Sequence, residues 1–304
     1  MLSEIFYWVL NMSIIGGLTG LIVALLRKVR GLPKFAVYLL WAVPLIRLWV
    51  PFGIANRWSL LNLISQYTTK TVVVWALTPE LSATNCVQAA ESYFPIEYKT
   101  DLLQGVFELA SLIWAIVAAA AILTAIALYI LTKRELRDAK HLSGNLWVSE
   151  KLTSPAVYGI FKPKIIIPAF ISEQDLPYIL AHERIHIRRL DNLWRVVAVI
   201  TACVHWFNPL AWVCLRRFFA DMELACDAKA LAILGEDKRK EYASALLNCA
   251  AGRSYFASAF GGAKTRVRVE HILSYKKLTA LASLAFAALA AAVAFVMITN
   301  AMGA

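Results

Sequence analysis

The sequence predicts a mainly α membrane protein: four transmembrane helices, with an α+β domain inserted between the third and the fourth. Three observations carry this expectation. Hydrophobic residues fill 60% of the 304 positions, well above the share in an ordinary soluble domain. Four apolar runs, about 5–26, 35–52, 106–132 and 278–299, approach or exceed the roughly 20 residues that a helix needs to cross a hydrocarbon core. The stretch 133–277 is different: it has the size of a domain and mixes strand-like with helical patterning.

The first run, IFYWVLNMSIIGGLTGLIVALL, holds no charge, and its Gly16-x-x-x-Gly20 permits close helix packing while giving only weak grounds for a dimer seam. Arg47 interrupts the second run and Glu108 the third. Arg47 stands near the expected outer end, so the expectation is that it snorkels outward rather than pairing with Glu108. Basic residues gather at the ends of the runs: Arg27, Lys28, Arg30 and Lys34 between the first two, Lys133, Arg134, Arg137 and Lys140 after the third, and Lys276-Lys277 before the fourth. The net charge of +11 therefore speaks for topology, and no direct nucleic-acid partner is expected. By the positive-inside rule these flanks, and with them 133–277, are cytoplasmic, and both termini face outward. With Glu4 and no basic n-region, the first run reads as a retained anchor rather than a cleaved signal. The outer loop, 53–104, then contains Cys86 alone and no internal disulfide, while Cys203, Cys214, Cys226 and Cys249 are expected as free buried thiols.

The inserted domain opens with LWVSEKLTSPAVYGIFKPKIIIP, where β-branched and aromatic residues between Gly and Pro predict one or two short strands. Ser172-Glu173 and Asp175 then give capping-type signals, and apolar Leu176, Ile179 and Leu180 set a helical period. On that helix lies His182-Glu183-x-x-His186. Histidines four apart share one face and can grip one ion, with Glu183 beside them as catalytic base, which is the chemistry of a zinc peptidase. A catalytic zinc needs a third protein ligand and an open position. Glu223, in FFADMELACDAKAL, is the candidate ligand, and Asp227, one turn on, is placed to take the second ring N–H of a ligand histidine. Because His186 and Glu223 must reach one ion, the apolar segment 193–219 cannot cross a membrane once. Asn208-Pro209 predicts a helical hairpin there, buried in the domain or dipping into the inner leaflet. His205 reads as a buried or interfacial histidine rather than an acid, and Asp191 with Arg188-Arg189 as a brace for the active-site helix.

The segments HERIHIRRLDN, HWFNPLAW and DMELACD, in this order, resemble the zinc domain of the BlaR/MecR-type sensor-transducers, and YLLWAVPLIRLWVPF and SPAVYGIFKPKIIIP are similar to that family too. The resemblance implies a gluzincin-like domain in a multi-pass protein of the bacterial inner membrane, with zinc on His182, His186 and Glu223 and Glu183 as base. It further implies self-cleavage on signalling, a cytoplasmic repressor as substrate and partner in a β-lactam response, and a homodimer in the bilayer. The stretch 252–265 would serve as a self-cleavage site or as a plain linker. Members of that family continue into an extracellular penicillin-binding domain, whereas this sequence shows no Ser-x-x-Lys motif beyond the fourth run. The signal is therefore expected to enter through the outer loop, the spans or a partner. Two other functions fit the same residues: a quality-control or processing membrane protease, and a silent receptor in which zinc only stabilises the fold.

Overall fold

The computed structural model describes residues 1–29, 32–50, 52–62, 83–85, 101–152, 154–249, 264–276 and 279–300. Arg30, Cys86 with nearly all of the outer loop, Lys277 and the linker 252–263 lie outside them. In chain order the first helices are α1 (Leu2–Leu26), α2 (Lys34–Leu40), α3 (Ala42–Trp49) and α4 (Asp101–Glu135), with a small antiparallel ribbon of β1 (Phe52–Ile54) and β2 (Ala83–Asn85) before α4. A four-stranded sheet follows, from β3 (Lys140–Ser143), β4 (Leu146–Ser149), β5 (Ala156–Tyr158) and β6 (Lys164–Pro168). The rest is helical: α5 (Leu176–Arg188), α6 (Asp191–Val204), α7 (Pro209–Leu234), α8 (Arg239–Asn248), α9 (Thr265–Leu273) and α10 (Ala280–Ile298).

Among the described residues, three helices are long and apolar enough to cross a membrane by length and composition: α1, the stretch Gly105–Asp138 that contains most of α4, and α10. Half of the apolar stretch of α1 is buried inside the protein, against 6% in α4 and 11% in α10, so the latter two carry most of the outward apolar surface. The Gly16-x-x-x-Gly20 face of α1 is filled from within the chain. A methyl group at Gly16 would meet the Leu48 side chain at 2.5 Å, and Gly20 packs on Cys214.

The expected second span is two short helices. They are interrupted at Trp41, because Pro44 has no N–H to give the Leu40 carbonyl, and Trp41 N–H bonds Tyr38 one residue too early, at 3.3 Å. Ala36, Val37, Leu40, Trp41 and Val43 of this pair are buried in a core that also holds Val23 of α1, Ala198 and Val199 of α6, Phe218 and Met222 of α7, and Met297 of α10. Arg47 corrects the snorkelling expectation. It is 1% exposed and donates to the carbonyls of Met297 and Thr299 and to Asn300 Oδ1, at 3.0, 2.6 and 2.8 Å. The carbonyls at a helix C-terminus lack partners within the helix, and a guanidinium satisfies several of them at once.

The apolar segment before Glu223 forms the expected hairpin of α6 and α7. Asn208 Oδ1 accepts from Leu210 N–H at 2.9 Å and Pro209 starts α7, a local signal sufficient to turn the chain. The hairpin tip is held inside the helix bundle: Asn208 Nδ2 donates to the Ser13 carbonyl at 2.8 Å, halfway along α1, and Trp114 of α4 donates to Val204 at the same distance. His205, fully buried, has its Nε2 3.0 Å from the Leu48 carbonyl, far from the histidine pair of α5, as its reading as a core residue expected.

The sheet runs in the order β3-β4-β6-β5, with β4 and β6 parallel and the outer pairs antiparallel. The stretch 146–168 forms three of these strands where one or two were expected, and β3 precedes it; β3 is exposed throughout and β5 half-buried, so neither shows an inward alternation. Ile165 and Ile167 of β6 pack with Ile179 of α5 and Cys249, and this layer seats α5 against the sheet.

Candidate metal centre

Helix α5 starts where the Ser172 hydroxyl and carbonyl both accept from Asp175 N–H, at 3.2 and 3.1 Å, with Pro177 in its first turn. It buries His182, Glu183 and His186, at 7, 7 and 5% exposure. The chain reverses at Leu190, whose φ of 55° makes it the one non-glycine residue with positive φ among those described. A leucine in this region costs about 1–2 kcal/mol, and such strain persists where the surroundings impose it. Here it brings Asp191, the first residue of α6, under the helix just completed: Asp191 Oδ2 lies 2.6 Å from His186 Nδ1.

His182 is held by the other carboxylate. Its Nδ1 is 3.1 Å from Asp227 Oδ1 and 2.8 Å from the Tyr242 hydroxyl, which itself donates to Asp227 at 2.7 Å. With both Nδ1 atoms occupied by acceptors, both Nε2 atoms turn inward, and they stand 3.1 Å apart. Glu223, from α7, completes the triangle: Oε2 is 3.5 Å from His182 Nε2 and Oε1 3.8 Å from His186 Nε2. Ligands at about 2 Å from one tetrahedral zinc stand about 3.3 Å apart, so the three donors fit that ion without large movement. Cys226 lies close as well: one donor atom from each of His182, His186 and Cys226 falls within 4.8 Å of the others. Its thiol donates to the His182 carbonyl at 3.3 Å and is fully buried, whereas the Glu223 side chain is 15% exposed. Of the two, Glu223 is the donor that reaches solvent, and Cys226 is closed off from it.

The electrostatics draw positive charge to this point. Burial alone would lower the His186 pKa, but Cys226, Glu223 and Asp191 outweigh it and raise the value to about 9. Burial would raise the Glu223 carboxyl, and His186 and Arg268 hold it well below the usual range instead. Burial raises the Cys226 thiol too, yet the two histidines bring it down to about 7. Asp191, Glu223 and Asp227 each also have an arginine. Arg189 Nη2 is 2.6 Å from Asp191, Arg195 Nη2 is 2.5 Å from Glu223, and Arg268 takes Asp227 through Nε and Nη2 at 2.8 and 2.7 Å. Such pairing offsets much of the desolvation that burying a carboxylate costs.

Of the residues singled out in the sequence, His182, His186, Glu223 and Asp227 are thus brought together, while Glu183 is buried beside His182 on α5. Asp191 braces the end of α5 through Arg189, as expected, and in addition holds the His186 ring, whereas Tyr242, Arg195 and Arg268 were not expected at the centre. Asp191 alone had a nearby signal, five residues after His186 in an acid-poor stretch. Tyr242 and Arg268 come from α8 and α9 and left no mark in local spacing. The helix bundle is wired directly to the centre. Tyr38 of α2 donates to Asp191 at 2.9 Å, while Arg27 and Trp41 hold Asp221, two residues before Glu223, at 2.8 and 2.9 Å.

Among curated proteins, the chain is similar to the methicillin resistance mecR1 protein of Staphylococcus aureus strain Mu50, 27% identical over 114 residues, which is 36% of this chain and 19% of that protein. It is similar to the regulatory protein BlaR1 of Bacillus licheniformis, 27% identical over 150 residues, 48% of this chain and 25% of the relative. For the regulatory protein BlaR1 of Staphylococcus aureus the figures are 24% over 129 residues, 40% and 22%. The chain thus aligns with a quarter or less of the length of these relatives. Over its own length the correspondence is far wider: residues 7–270, which take in every side chain of the centre, match the family described as BlaR1 peptidase M56, and the chain belongs to that family.

Proposed function

We propose that the chain is a zinc-dependent membrane endopeptidase with a cytoplasmic active site, which transmits a signal by cleaving itself or a cytoplasmic transcriptional repressor. One observation carries the reading: two imidazole Nε2 atoms and a carboxylate converge, and each ring is fixed through its Nδ1 by a buried carboxylate. His182, His186 and Glu223 would hold the zinc, which when bound lowers the pKa of a water to about 7 and polarises a carbonyl.

The remaining work falls to the chain's own groups. Glu183, next to His182, accepts the water's proton as the water oxygen bonds to the carbonyl carbon and the carbonyl π pair moves onto its oxygen. The C–N bond then breaks with its electron pair going to nitrogen, and Glu183 passes the proton to that nitrogen. One water is consumed and Glu183 ends as it began. Asp191 and Asp227 keep the rings aimed, and their arginines keep those carboxylates ionised.

The cytoplasmic placement rests on the basic flanks. It is supported by the path of α2 and α3, which run from the centre, where Tyr38 meets Asp191, to the far end of α10, where Arg47 meets Met297. As a broken pair they would make the fourth crossing. A homodimer would then use the outward faces of α4 or α10, since the glycine face of α1 is already filled. The test is Glu183→Gln in the detergent-purified protein and in membranes. It should keep about one zinc per chain and lose self-cleavage or repressor cleavage by at least about 100-fold. Undiminished cleavage would refute the mechanism.

A further inference from the structure

Resting on that peptidase reading, we propose that Arg268 binds the oxygen of the scissile carbonyl as that oxygen turns negative. Among the described residues, Arg189, Arg195 and Arg268 stand beside the centre, and they differ in what they reach. Arg189 is committed to Asp191 and to the Met222 carbonyl, at 2.6 and 3.1 Å. Arg195 reaches Glu223 Oε1 at 2.5 Å and the Met222 sulfur at 3.3 Å. Arg268 alone also contacts a ligand nitrogen: its Nη2 lies 3.1 Å from His182 Nε2, and its Nη1 lies 3.3 Å from Glu223 Oε2.

The guanidinium therefore lies along the edge of the ligand triangle between His182 and Glu223. Its plane is set from behind, because Nε and Nη2 are both bonded to Asp227. Nη2 also lies 3.5 Å from His182 Nδ1, so it sits over the ring face and leaves the Nε2 lone pair open to a metal ion. The Nη1 end, beside Glu223 Oε2, brings its N–H donors and full positive charge to the same edge of the centre. A charged donor, fixed in advance and largely shielded from water at 15% side-chain exposure, is what a developing oxyanion requires.

The alternative is that Arg268 only neutralises the buried Asp227, and two inhibitors separate the roles. A hydrophobic peptide phosphonamidate presents the tetrahedral anionic oxygens of the transition state. A thiol on the same peptide binds zinc through sulfur and presents none. In the zinc-loaded full chain, Arg268→Lys should weaken the phosphonamidate by about 100- to 1,000-fold, the scale of one lost oxyanion donor. The thiol affinity and the zinc content should stay nearly as in the wild type. Arg195→Lys, in contrast, should change both inhibitors alike. Equal weakening of both inhibitors by Arg268→Lys, no weakening of either, or loss of zinc would overturn the assignment. Should Arg268→Lys not fold, Asp227→Asn with Arg268→Gln removes both charges of the pair, and its inhibitor ratio is compared with that of Asp227→Asn alone. A phosphonamidate-to-thiol ratio the same in those two variants also overturns it. A wild-type chain that takes up no zinc and binds neither inhibitor sinks the peptidase reading itself, whereas a wild type that binds both isolates the failure to Arg268.

Discussion

Replacing Asp191 by asparagine removes the charge that aims His186 while keeping the side chain's shape. In the wild type the carboxylate lies 2.6 Å from His186 Nδ1, fully buried, and is held in turn by Arg189 and Tyr38. In the neutral ring that contact keeps the proton on Nδ1 and leaves the lone pair on Nε2, the atom that lies 3.1 Å from His182 Nε2. An amide oxygen still accepts a hydrogen bond, but one about half as strong as the charge-assisted bond, and it no longer makes the ring a stronger donor to metal. Losses of this kind behind a metal ligand typically weaken binding by about 10–100-fold, or roughly 1.4–2.7 kcal/mol at 1.36 kcal/mol per decade. The assay is competition for zinc between the detergent-purified protein and a chromogenic chelator at fixed pH, with near-ultraviolet circular dichroism to establish that the fold is retained. Asp191→Ala should lose more, because it also leaves the buried Arg189 without its carboxylate. A folded Asp191→Asn with wild-type zinc affinity would refute the reasoning: His186 would then not be a ligand, or Asp191 would not be what aims it.

Two further outcomes are expected. Zinc affinity should rise by at least about tenfold per pH unit toward pH 9, because His186, with a metal-free pKa raised to about 9, and His182, also raised well above its ordinary value, hold protons at neutral pH that zinc must displace. A pH-independent affinity between 6.5 and 8.5, measured by the same competition, would contradict the charge balance described. Lys240→Cys, on the exposed face of α8, should react with a membrane-impermeant maleimide only after cells are lysed; labelling in intact cells would put the centre outside and exclude a cytoplasmic substrate.

What was legible in the sequence follows from how local each cause is. The helical pair His182 and His186, and Glu223 with Asp227 one turn apart, are short-range patterns, and the structure brings them to one point. The hairpin was legible for the same reason, since Asn208 caps and Pro209 starts the helix that follows it. Arg47 was misjudged because its acceptors lie some 250 positions later, on the last helix. The role of Asp191 depends on a left-handed Leu190, which no propensity favours. The second apolar run had the composition of a span, but Pro44 breaks its hydrogen bonding, and composition does not weigh a single missing N–H. Arg268 and Tyr242 join the centre because α9 packs on α7 and α8 packs on α5 and α9, which sequence spacing does not encode.

The measurement that bears most directly on the proposed centre is X-ray absorption at the zinc edge of the purified, zinc-loaded chain. The arrangement of His182, His186 and Glu223 requires two imidazole nitrogens and oxygen donors at about 2.0–2.2 Å, with no sulfur at about 2.3 Å. A sulfur shell at that distance would place Cys226 rather than Glu223 on the metal, and would contradict the open, catalytic site proposed for this chain.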